Sequence, residues 1–280
     1  MKIRTIGLMV HPGREDGLQN AALALEAFRQ AGITAAVETR VRDALGFQLP
    51  LLDESDWDAM ISLGGDGTFL RSAQYAIKRN VPLLGINLGR IGFLTEIELK
   101  DMSSAAQKLR EGDFDIENRM LIRVQVNDDE PMLALNDAVV SRGMHSRLIT
   151  IDAHISKDQI GRYIADGVIV ATPTGSTGYS LSAGGPIVSP GVPCMIITPI
   201  CAHSLQHRPV VVPESANVHL HLRCANNTGI RLVVDGQDAR TLNGTDRIAV
   251  SRAEKDLQLI RFTEPHFFNL VREKLTQWST

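Results

Sequence analysis

The chain has 280 residues, which is enough for two modest domains with hydrophobic cores, and its 44% apolar content predicts a globular protein rather than a disordered one. Its net charge of −3, with no cluster of Lys and Arg interleaved with aromatic residues, argues against a nucleic-acid partner. The three cysteines form no CxxC pair, so we expect neither a disulfide framework nor a zinc site. We interpret Cys194, Cys201 and Cys224 as small core or near-core residues.

Strand-like sequence begins at Met1, without an apolar stretch of the length of a signal peptide or a membrane span. We therefore expect a cytoplasmic protein with no membrane partner. Strand and helix patterns then alternate over roughly the first 100 residues, which predicts a parallel sheet covered by helices. The predicted strands are Ile6–Val10, Ala35–Glu38, Ala59–Leu63 and Val81–Asn87, and the predicted helices are Gly17–Ala31, a helix capped by Thr68 that runs to Arg79, and Asp101–Glu111.

Beyond about Asn118 the pattern changes to ten short β-type segments, from Val124–Val126 to Leu257–Phe262, separated by turn residues. Such a series predicts a sandwich or a barrel. A last helix is predicted around Phe268–Trp278, with an apolar face that packs back on the first domain. The predicted fold is an α/β N-terminal domain with a parallel sheet, residues 1–117 joined by 264–280, plus a β-rich, sandwich-like C-terminal domain, residues 118–263.

The most informative motif is Gly64-Gly65-Asp66-Gly67-Thr68, which directly follows an apolar strand. Glycines let the backbone approach a ligand closely, so that N–H groups of the turn and of the following helix can bind phosphate. A carboxylate beside phosphate is repulsive unless it holds a metal or accepts a proton from a hydroxyl, and phosphoryl transfer supplies both reasons for Asp66. The loop is neither a Walker A motif nor a GxGxxG fingerprint, and an ordinary Asp-Gly turn is the alternative.

A second unusual stretch runs from Asp166 to Pro186, where a buried strand opens into a turn crowded with hydroxyls and glycines. Short hydroxyl donors and bare backbone suit sugar hydroxyls and phosphates. A Ser/Thr-rich connecting loop is the plainer alternative, although ordinary connections are shorter and less specialised.

Three further features are polar residues at informative positions. Asn136-Asp137 interrupts an apolar run, which indicates either a turn or a ligand contact. Asp235-Gly236 follows a strand and predicts a hairpin turn. Arg71 lies one helical turn beyond the glycine loop, where its charge would assist phosphate binding or be solvated.

Together these segments resemble the NAD kinase family, the ATP-NAD kinases of the bacterial type. Gly64–Thr68 is similar to the family's GGDGT loop, residues 85–94 to its GxNxGxxGFL segment, and Asn136-Asp137 to its NE/D position. Residues 166–186 are similar to its long DGxxxxTPTGSTxYxxSxGGP signature. The long signature is the discriminating one, because diacylglycerol and sphingosine kinases and phosphofructokinases share something like the GGDG loop.

The resemblance implies transfer of the γ-phosphoryl of ATP to the 2′-hydroxyl of the adenosine ribose of NAD, which gives NADP, with a divalent cation, expected to be Mg²⁺. It implies that Asp66 is the general base or orienting carboxylate and that Gly67 lets the ribose approach. Gly64, Gly65, Gly67 and Thr68 would form the phosphate loop. The metal ligands are left unassigned.

The resemblance also implies a set of NAD-binding residues. Asn136 and Asp137 would hold ribose hydroxyls or the nicotinamide side, Asp166 the nicotinamide end, and Thr177 to Ser182 the adenine end. The whole implied set is Asp66, Gly67, Arg71, Asn136, Asp137, Arg147, Asp166, Ala171, Thr177, Gly178, Tyr179, Ser180, Leu181, Ser182, Ala202 and Gln237.

Two alternatives to this function are open at the level of sequence. One is a lipid kinase with a GGDG loop, of the diacylglycerol or sphingosine kinase type, which would need an apolar cleft for a lipid tail. The other is a regulator that binds NAD(P) without catalysis, since a fold alone never establishes activity. The family forms dimers and tetramers, so the expected partners are NAD and ATP as substrates and a second or further copies of the chain.

Overall fold

The computed structural model describes residues 1–11, 17–89, 92–143, 147–203, 207–223, 229–263 and 267–278. The chain forms two compact units, Met1–Asn118 with Leu257–Thr280, and Arg119–Asp256. Cys224 and the pair Arg90-Ile91 of the second glycine motif lie outside the described residues. Within the described ranges, the helices are too short or too polar to cross a membrane.

The first unit contains a sheet in which seven strands are described, in the order β2-β1-β3-β4-β19-β6, with β5 paired to β4. The bounds are β1 (Thr5–Val10), β2 (Thr34–Val37), β3 (Ala59–Leu63), β4 (Leu83–Asn87), β5 (Ile97–Glu98), β6 (Asp115–Arg119) and β19 (Leu257–Arg261). Strands β1 to β5 and β19 pair in parallel. Strands β3 and β4 are buried along their whole length, which is typical of a parallel sheet covered on both faces. The predicted parallel α/β domain is confirmed.

The helices of the first unit are α1 (Gly17–Gln30), α2 (Thr39–Leu45), α3 (Asp66–Arg79), α4 (Met102–Glu111) and α6 (Phe267–Trp278), with a 3₁₀ turn at Leu99–Asp101. Helix α1 buries Ala21, Ala24, Leu25 and Phe28, whose spacing places them on one face against the sheet. Helix α6 lies in the first unit and buries Val271, so the predicted return of the C-terminal helix to the first domain is confirmed.

Three details of the first unit differ from the sequence prediction. Helix α2 was not predicted, because this seven-residue helix buries only Val41 and carries almost no apolar periodicity. The sequence pattern places residues 257–261 in the second domain, yet this strand, β19, pairs with β4 in the first sheet. It is buried at Leu257, Leu259 and Ile260, a pattern that fits a sheet covered on both faces better than a strand with one solvated face.

The second unit consists of two antiparallel sheets, each with six described strands, in the orders β11-β10-β15-β18-β7-β8 and β14-β13-β12-β9-β16-β17. The bounds are β7 (Ile122–Val126), β8 (Met132–Ala134), β9 (Asp137–Ser141), β10 (Ile149–Ile155), β11 (Asp158–Ala165), β12 (Gly167–Ala171), β13 (Cys194–Ile200), β14 (Val210–Pro213), β15 (Val218–Leu222), β16 (Ile230–Val234), β17 (Gln237–Leu242) and β18 (Arg247–Arg252). Between β12 and β13 lie a 3₁₀ turn, Thr174–Thr177, and the short helix α5, Tyr179–Ser182.

The two sheets of the second unit share one core, as a sandwich requires. Ile151 and Leu220 from one sheet and Val140 and Val168 from the other belong to the same buried cluster. The predicted sandwich is therefore confirmed, with more strands than the ten that were expected. One cysteine differs from its prediction: Cys194 is buried, but Cys201 is exposed, because it follows the last residue of β13 at a left-handed backbone position.

Candidate active site

The glycine-rich loop of the first unit joins β3 to α3. Gly64 has a φ of 159° and donates its N–H to the Ile86 carbonyl at 2.9 Å, while Gly65 is the extended N-cap of α3. The Gly65 carbonyl accepts the N–H groups of Thr68 and Phe69, each at 3.0 Å. The helix thus begins at Asp66, and the prediction that Thr68 caps it is wrong, because Gly65 occupies the N-cap position without a side-chain cap. The positive end of the helix dipole lies at this loop, which favours an anion.

Asp66 is held by the second glycine motif of the same unit. Its Oδ2 accepts the Phe93 N–H at 3.1 Å and its Oδ1 accepts the Leu94 N–H at 3.2 Å. The Gly92 N–H in turn donates to Thr95 Oγ1 at 3.2 Å, which fixes the segment that carries these donors. A carboxylate oxygen can accept more than one hydrogen bond, so each Asp66 oxygen keeps capacity for a ligand hydroxyl or a cation. The fold therefore brings the two glycine motifs together around one carboxylate.

Two hydroxyls that flank the glycine-rich loop in the chain have no hydrogen-bond partner among the described residues. They are Ser62 Oγ, in a fully buried residue at the end of β3, and Thr68 Oγ1, in a residue that is 2% exposed. Buried polar atoms in folded proteins are nearly always paired, so an ordered water or a ligand would satisfy these hydroxyls.

This loop suits a divalent cation that takes only one or two of its ligands from the protein. Within the described ranges, no three His, Cys, Asp or Glu side chains are arranged to hold a metal ion. Mg²⁺ in phosphoryl-transfer sites is usually bound by one or two carboxylates together with substrate phosphates and water. Asp66, with the free hydroxyl of Thr68 in the same turn, meets that requirement.

Arg71 lies on α3 but pairs with a carboxylate of its own unit. Its Nη2 donates to Glu38 Oε1 at 3.1 Å, and Glu38 Oε2 accepts from Arg40 Nη2 at 2.9 Å. Its side chain is 36% exposed. A role for Arg71 in phosphate binding would require the guanidinium to share or leave Glu38, and it stays a prediction.

In the second unit, Asn136 and Asp137 form a corner at the start of β9. Asn136 Oδ1 is buried without a hydrogen-bond partner among the described residues, and Asp137 is 5% exposed. Burial, together with the nearby Asp235 carboxylate, raises the pKa of Asp137 to about 7. The corner therefore presents an unpaired amide oxygen and a carboxyl that holds its proton into the neutral range.

The hydroxyl-rich loop lies against this corner. A Cβ atom on Gly178 would stand 3.6 Å from Asn136 Nδ2 and 3.8 Å from Asp137 Oδ2. Ser180 is buried, and its Oγ bonds to Thr198 Oγ1 at 2.9 Å, so it holds the loop in place. The more accessible positions of the predicted stretch are Thr177, Gly178, Tyr179, Leu181 and Ser182.

The other predicted residues of the second unit are dispersed. Asp166 pairs with Arg142 and lies at the opposite end of β12 from the corner, six residues or roughly 20 Å from Thr172. Ala171 is fully buried in a core cluster, so it presents no side chain to a ligand. Arg147 is exposed, and Ala202 is half-buried against the sandwich core.

Gln237 is exposed at the start of β17. Two positions before it lies a residue for which the sequence predicts only a turn. That residue, Asp235, accepts hydrogen bonds from the backbone N–H groups of Leu135, Asn136 and Asp137. Its partners lie about a hundred positions earlier in the chain, so no local signal in the sequence could connect them.

A carboxylate fixed within a glycine-rich loop at a helix N-terminus is the arrangement of a phosphotransferase, and comparisons with known proteins agree. A family model described as the ATP-NAD kinase N-terminal domain matches residues 6–114, and one described as the ATP-NAD kinase C-terminal domain matches residues 135–262. The chain belongs to the NAD kinase family.

Individual relatives support the same assignment. The NAD kinase of Moorella thermoacetica is 40% identical over 283 residues, covering 98% of this chain and 90% of that protein. A crystal structure of yeast NADH kinase complexed with NADH has a TM-score of 0.85 at 26% identity, covering 99% of this chain and 88% of that one. An NAD kinase from Archaeoglobus fulgidus in complex with ATP has a TM-score of 0.76 at 26% identity, covering 98% of each chain. These similarities favour the NAD kinase hypothesis over the lipid kinase and the regulator.

Proposed function

We propose that this protein transfers the γ-phosphoryl group of ATP to the 2′-hydroxyl of the adenosine ribose of NAD, giving NADP and ADP. The observation that carries the proposal is the Asp66 carboxylate, which two backbone N–H groups hold at the N-terminus of α3. Membership of the NAD kinase family, and relatives crystallised with NADH and with ATP, support the choice of substrates.

In the proposed step, the ribose 2′-oxygen forms a bond to the γ-phosphorus while the bond from that phosphorus to the β–γ bridging oxygen breaks. The hydroxyl proton passes to Asp66, and ADP carries away the bridging oxygen. Asp66 also orients the nucleophile, which is the main demand of phosphoryl transfer. The N–H groups of the Gly64–Thr68 turn and the helix dipole would hold the phosphates. A bound divalent cation, by proposal Mg²⁺ near Asp66 and Thr68, would neutralise phosphate charge.

The second unit is proposed to bind NAD through the Asn136–Asp137 corner and the accessible part of the hydroxyl-rich loop. The unpaired Asn136 Oδ1 supports this, because a ribose hydroxyl or a carboxamide N–H would satisfy it. Asp166, Arg71, Arg147, Ala202 and Gln237 are retained as proposed contacts from the family resemblance. A backbone contact is the only form in which Ala171 fits. The family resemblance also supports a cytoplasmic homodimer or homotetramer, which light scattering on the purified protein measures.

The test is a product assay. Purified protein is incubated with NAD, ATP and Mg²⁺, and NADP is detected with a dehydrogenase that accepts only NADP. The proposal expects NADP to accumulate in proportion to enzyme, and to stop when ATP is omitted. Phosphorylation of diacylglycerol or sphingosine without NADP would indicate the lipid kinase, and NAD binding without any phosphorylated product would indicate the regulator.

A further inference from the structure

Asp235 forms part of a tight turn, yet its side chain points into the protein. It lies between β16 and β17 with a φ of 50°, is followed by Gly236 with a φ of 72°, and is 3% exposed. Its Oδ2 accepts the Leu135 N–H at 2.8 Å, and its Oδ1 accepts the N–H groups of Asn136 at 2.7 Å and Asp137 at 3.3 Å. The Asp235 N–H donates to the Asp137 carbonyl at 3.0 Å. One buried carboxylate therefore collects three consecutive backbone donors.

The opposite side of the corner is equally constrained. Thr172 Oγ1 donates to the Leu135 carbonyl at 2.5 Å, and the Thr172 N–H donates to the Asn136 carbonyl at 2.8 Å. A Cβ atom on Gly175 would overlap that same Asn136 carbonyl. Asp235 on one side, with Thr172 and Gly175 on the other, therefore fixes the backbone of Asn136 in place.

The two carboxyl groups of this corner have different surroundings. Three N–H donors stabilise the ionised form of Asp235. Asp137 is buried beside that negative charge, and both effects disfavour its own ionisation, with burial the larger. Among the described residues, the charged group that acts on Asp137 is Asp235, from the β16–β17 turn. Strand β12 places Ala171, which does not titrate, opposite Asp137.

We propose that Asp235 is a positioning residue for NAD binding: its carboxylate, through the N–H groups of Leu135, Asn136 and Asp137, fixes the Asn136–Asp137 corner so that Asp137 donates a hydrogen bond to the dinucleotide. The inference rests on the proposed function, because it takes NAD as the ligand of this corner. A protonated carboxyl can both donate and accept, whereas a carboxylate can only accept. Asp235 thus sets what Asp137 can offer to a ribose hydroxyl or to the carboxamide oxygen.

The test measures NAD affinity calorimetrically as a function of pH in the full-length protein, between roughly pH 5.5 and 8.5. The eight histidines also titrate in this range, so the contribution of Asp137 is the part of the pH dependence that Asp137→Asn removes. In the wild type we expect the affinity to fall as pH rises through about 7, approaching tenfold per pH unit above that midpoint. Asp137→Asn keeps a donor but cannot titrate, so its affinity should not change across this range. Asp235→Asn removes the neighbouring charge and should move the midpoint to lower pH.

A matched control separates positioning from general stability. Asp246 is also buried in a turn of the second unit, where it accepts the Asn243 N–H at 2.9 Å and Asn127 Nδ2 at 3.0 Å. Asp246→Asn should destabilise the unit without moving the midpoint of the pH profile. If Asp235→Asn also leaves the midpoint in place, or if the wild type shows no midpoint near neutral pH, the inference is wrong.

A second measurement on the wild type covers the case in which Asp235→Asn fails to fold. Infrared difference spectra between acidic and alkaline pH should contain the carbonyl band of a protonated carboxylic acid, and Asp137→Asn should remove it. Absence of that band from wild-type protein at slightly acidic pH would overturn the inference. The product assay keeps the two proposals distinct: NADP formation with pH-independent NAD affinity rejects the role of Asp235 alone, whereas absence of NADP and of NAD binding rejects the proposed function.

Discussion

The carboxylate of Asp66 occupies the space that a Cβ atom on Gly92 would fill. The two residues come from different glycine motifs, and the hydrogen bonds from Phe93 and Leu94 depend on this close approach. Glycine at position 92 is therefore required by the position of the carboxylate. The position of the proposed catalytic group therefore depends on the backbone of the second glycine motif.

Gly92→Ala should displace Asp66 and lower turnover. A shift of about 1 Å in a reacting group can cost roughly 10²-fold in rate, so we expect a kcat loss of that order. The measurement is steady-state formation of NADP, accompanied by circular dichroism to show that the fold persists. The control is Gly191→Ala, because nothing lies within 4 Å of a Cβ at that position and the fold should accept it. Wild-type kcat in Gly92→Ala would contradict the close packing of Gly92 against Asp66.

Arg261→Met should destabilise the first unit strongly. Arg261 Nη1 contacts Glu96 Oε2 at 2.8 Å and Nε contacts Glu117 Oε2 at 2.7 Å, and the arginine side chain is 8% exposed. Removal of the arginine leaves the Glu96 and Glu117 carboxylates, which are 9% and 23% exposed, without their cation. Loss of one partner of a fully buried pair typically costs about 3–5 kcal/mol, and we expect a somewhat smaller cost here. Urea unfolding measures the loss. Arg29→Met, which removes the exposed partner of Glu26, should leave the midpoint almost unchanged. If the two substitutions lower the unfolding free energy equally, the low exposure of Arg261 does not strengthen its ion pairs, and the prediction is wrong.

Asp152→Asn should change how stability depends on pH. Hydrogen bonds from Arg162, and then from Arg223, lower the pKa of Asp152 to about 2. Because this pKa lies below the unfolded value, the ion pairs stabilise the fold above about pH 4 and the contribution is lost as pH falls through about 2. Both arginines are 60% exposed, so solvent screening keeps the contribution small.

The measurement for Asp152 is the difference in unfolding free energy between wild type and Asp152→Asn at neutral pH and at about pH 3. We expect the difference to shrink on acidification. Asp158→Asn, at an exposed position of β11, is the control and should show no comparable trend. A difference that grows as pH falls would contradict a lowered pKa of Asp152 in the folded protein.

The general arrangement of the first unit could be predicted because its signals are local. The apolar strand before Gly64 and the amphipathic helix after it specify a strand, a turn and a helix over about twenty consecutive residues. The sequence pattern predicts the helix cap three residues late, because Thr68 is a favoured cap by type whereas Gly65 takes the position through its backbone. Short-range patterns thus located the loop but not its hydrogen bonds.

The role of Asp235 could not be predicted, because it depends on pairing between distant strands. Asp-Gly after a strand is a hairpin signal, and a turn does form there. Only the placement of β16 beside β9 brings the Asp235 carboxylate to Leu135, Asn136 and Asp137. The same limitation explains β19, whose five residues resemble any short strand until their parallel partner is known.

In the proposed reaction, Asp66 acts on the ribose hydroxyl and is not needed to hold NAD. The most direct measurement compares wild type and Asp66→Asn in two parallel assays, NAD affinity by calorimetry and single-turnover formation of NADP from bound substrates. We predict that the affinity stays within a few-fold while the rate falls about 10²- to 10⁴-fold, the usual contribution of a positioned base. An unchanged rate in Asp66→Asn would remove Asp66 from the chemistry and contradict the proposed mechanism.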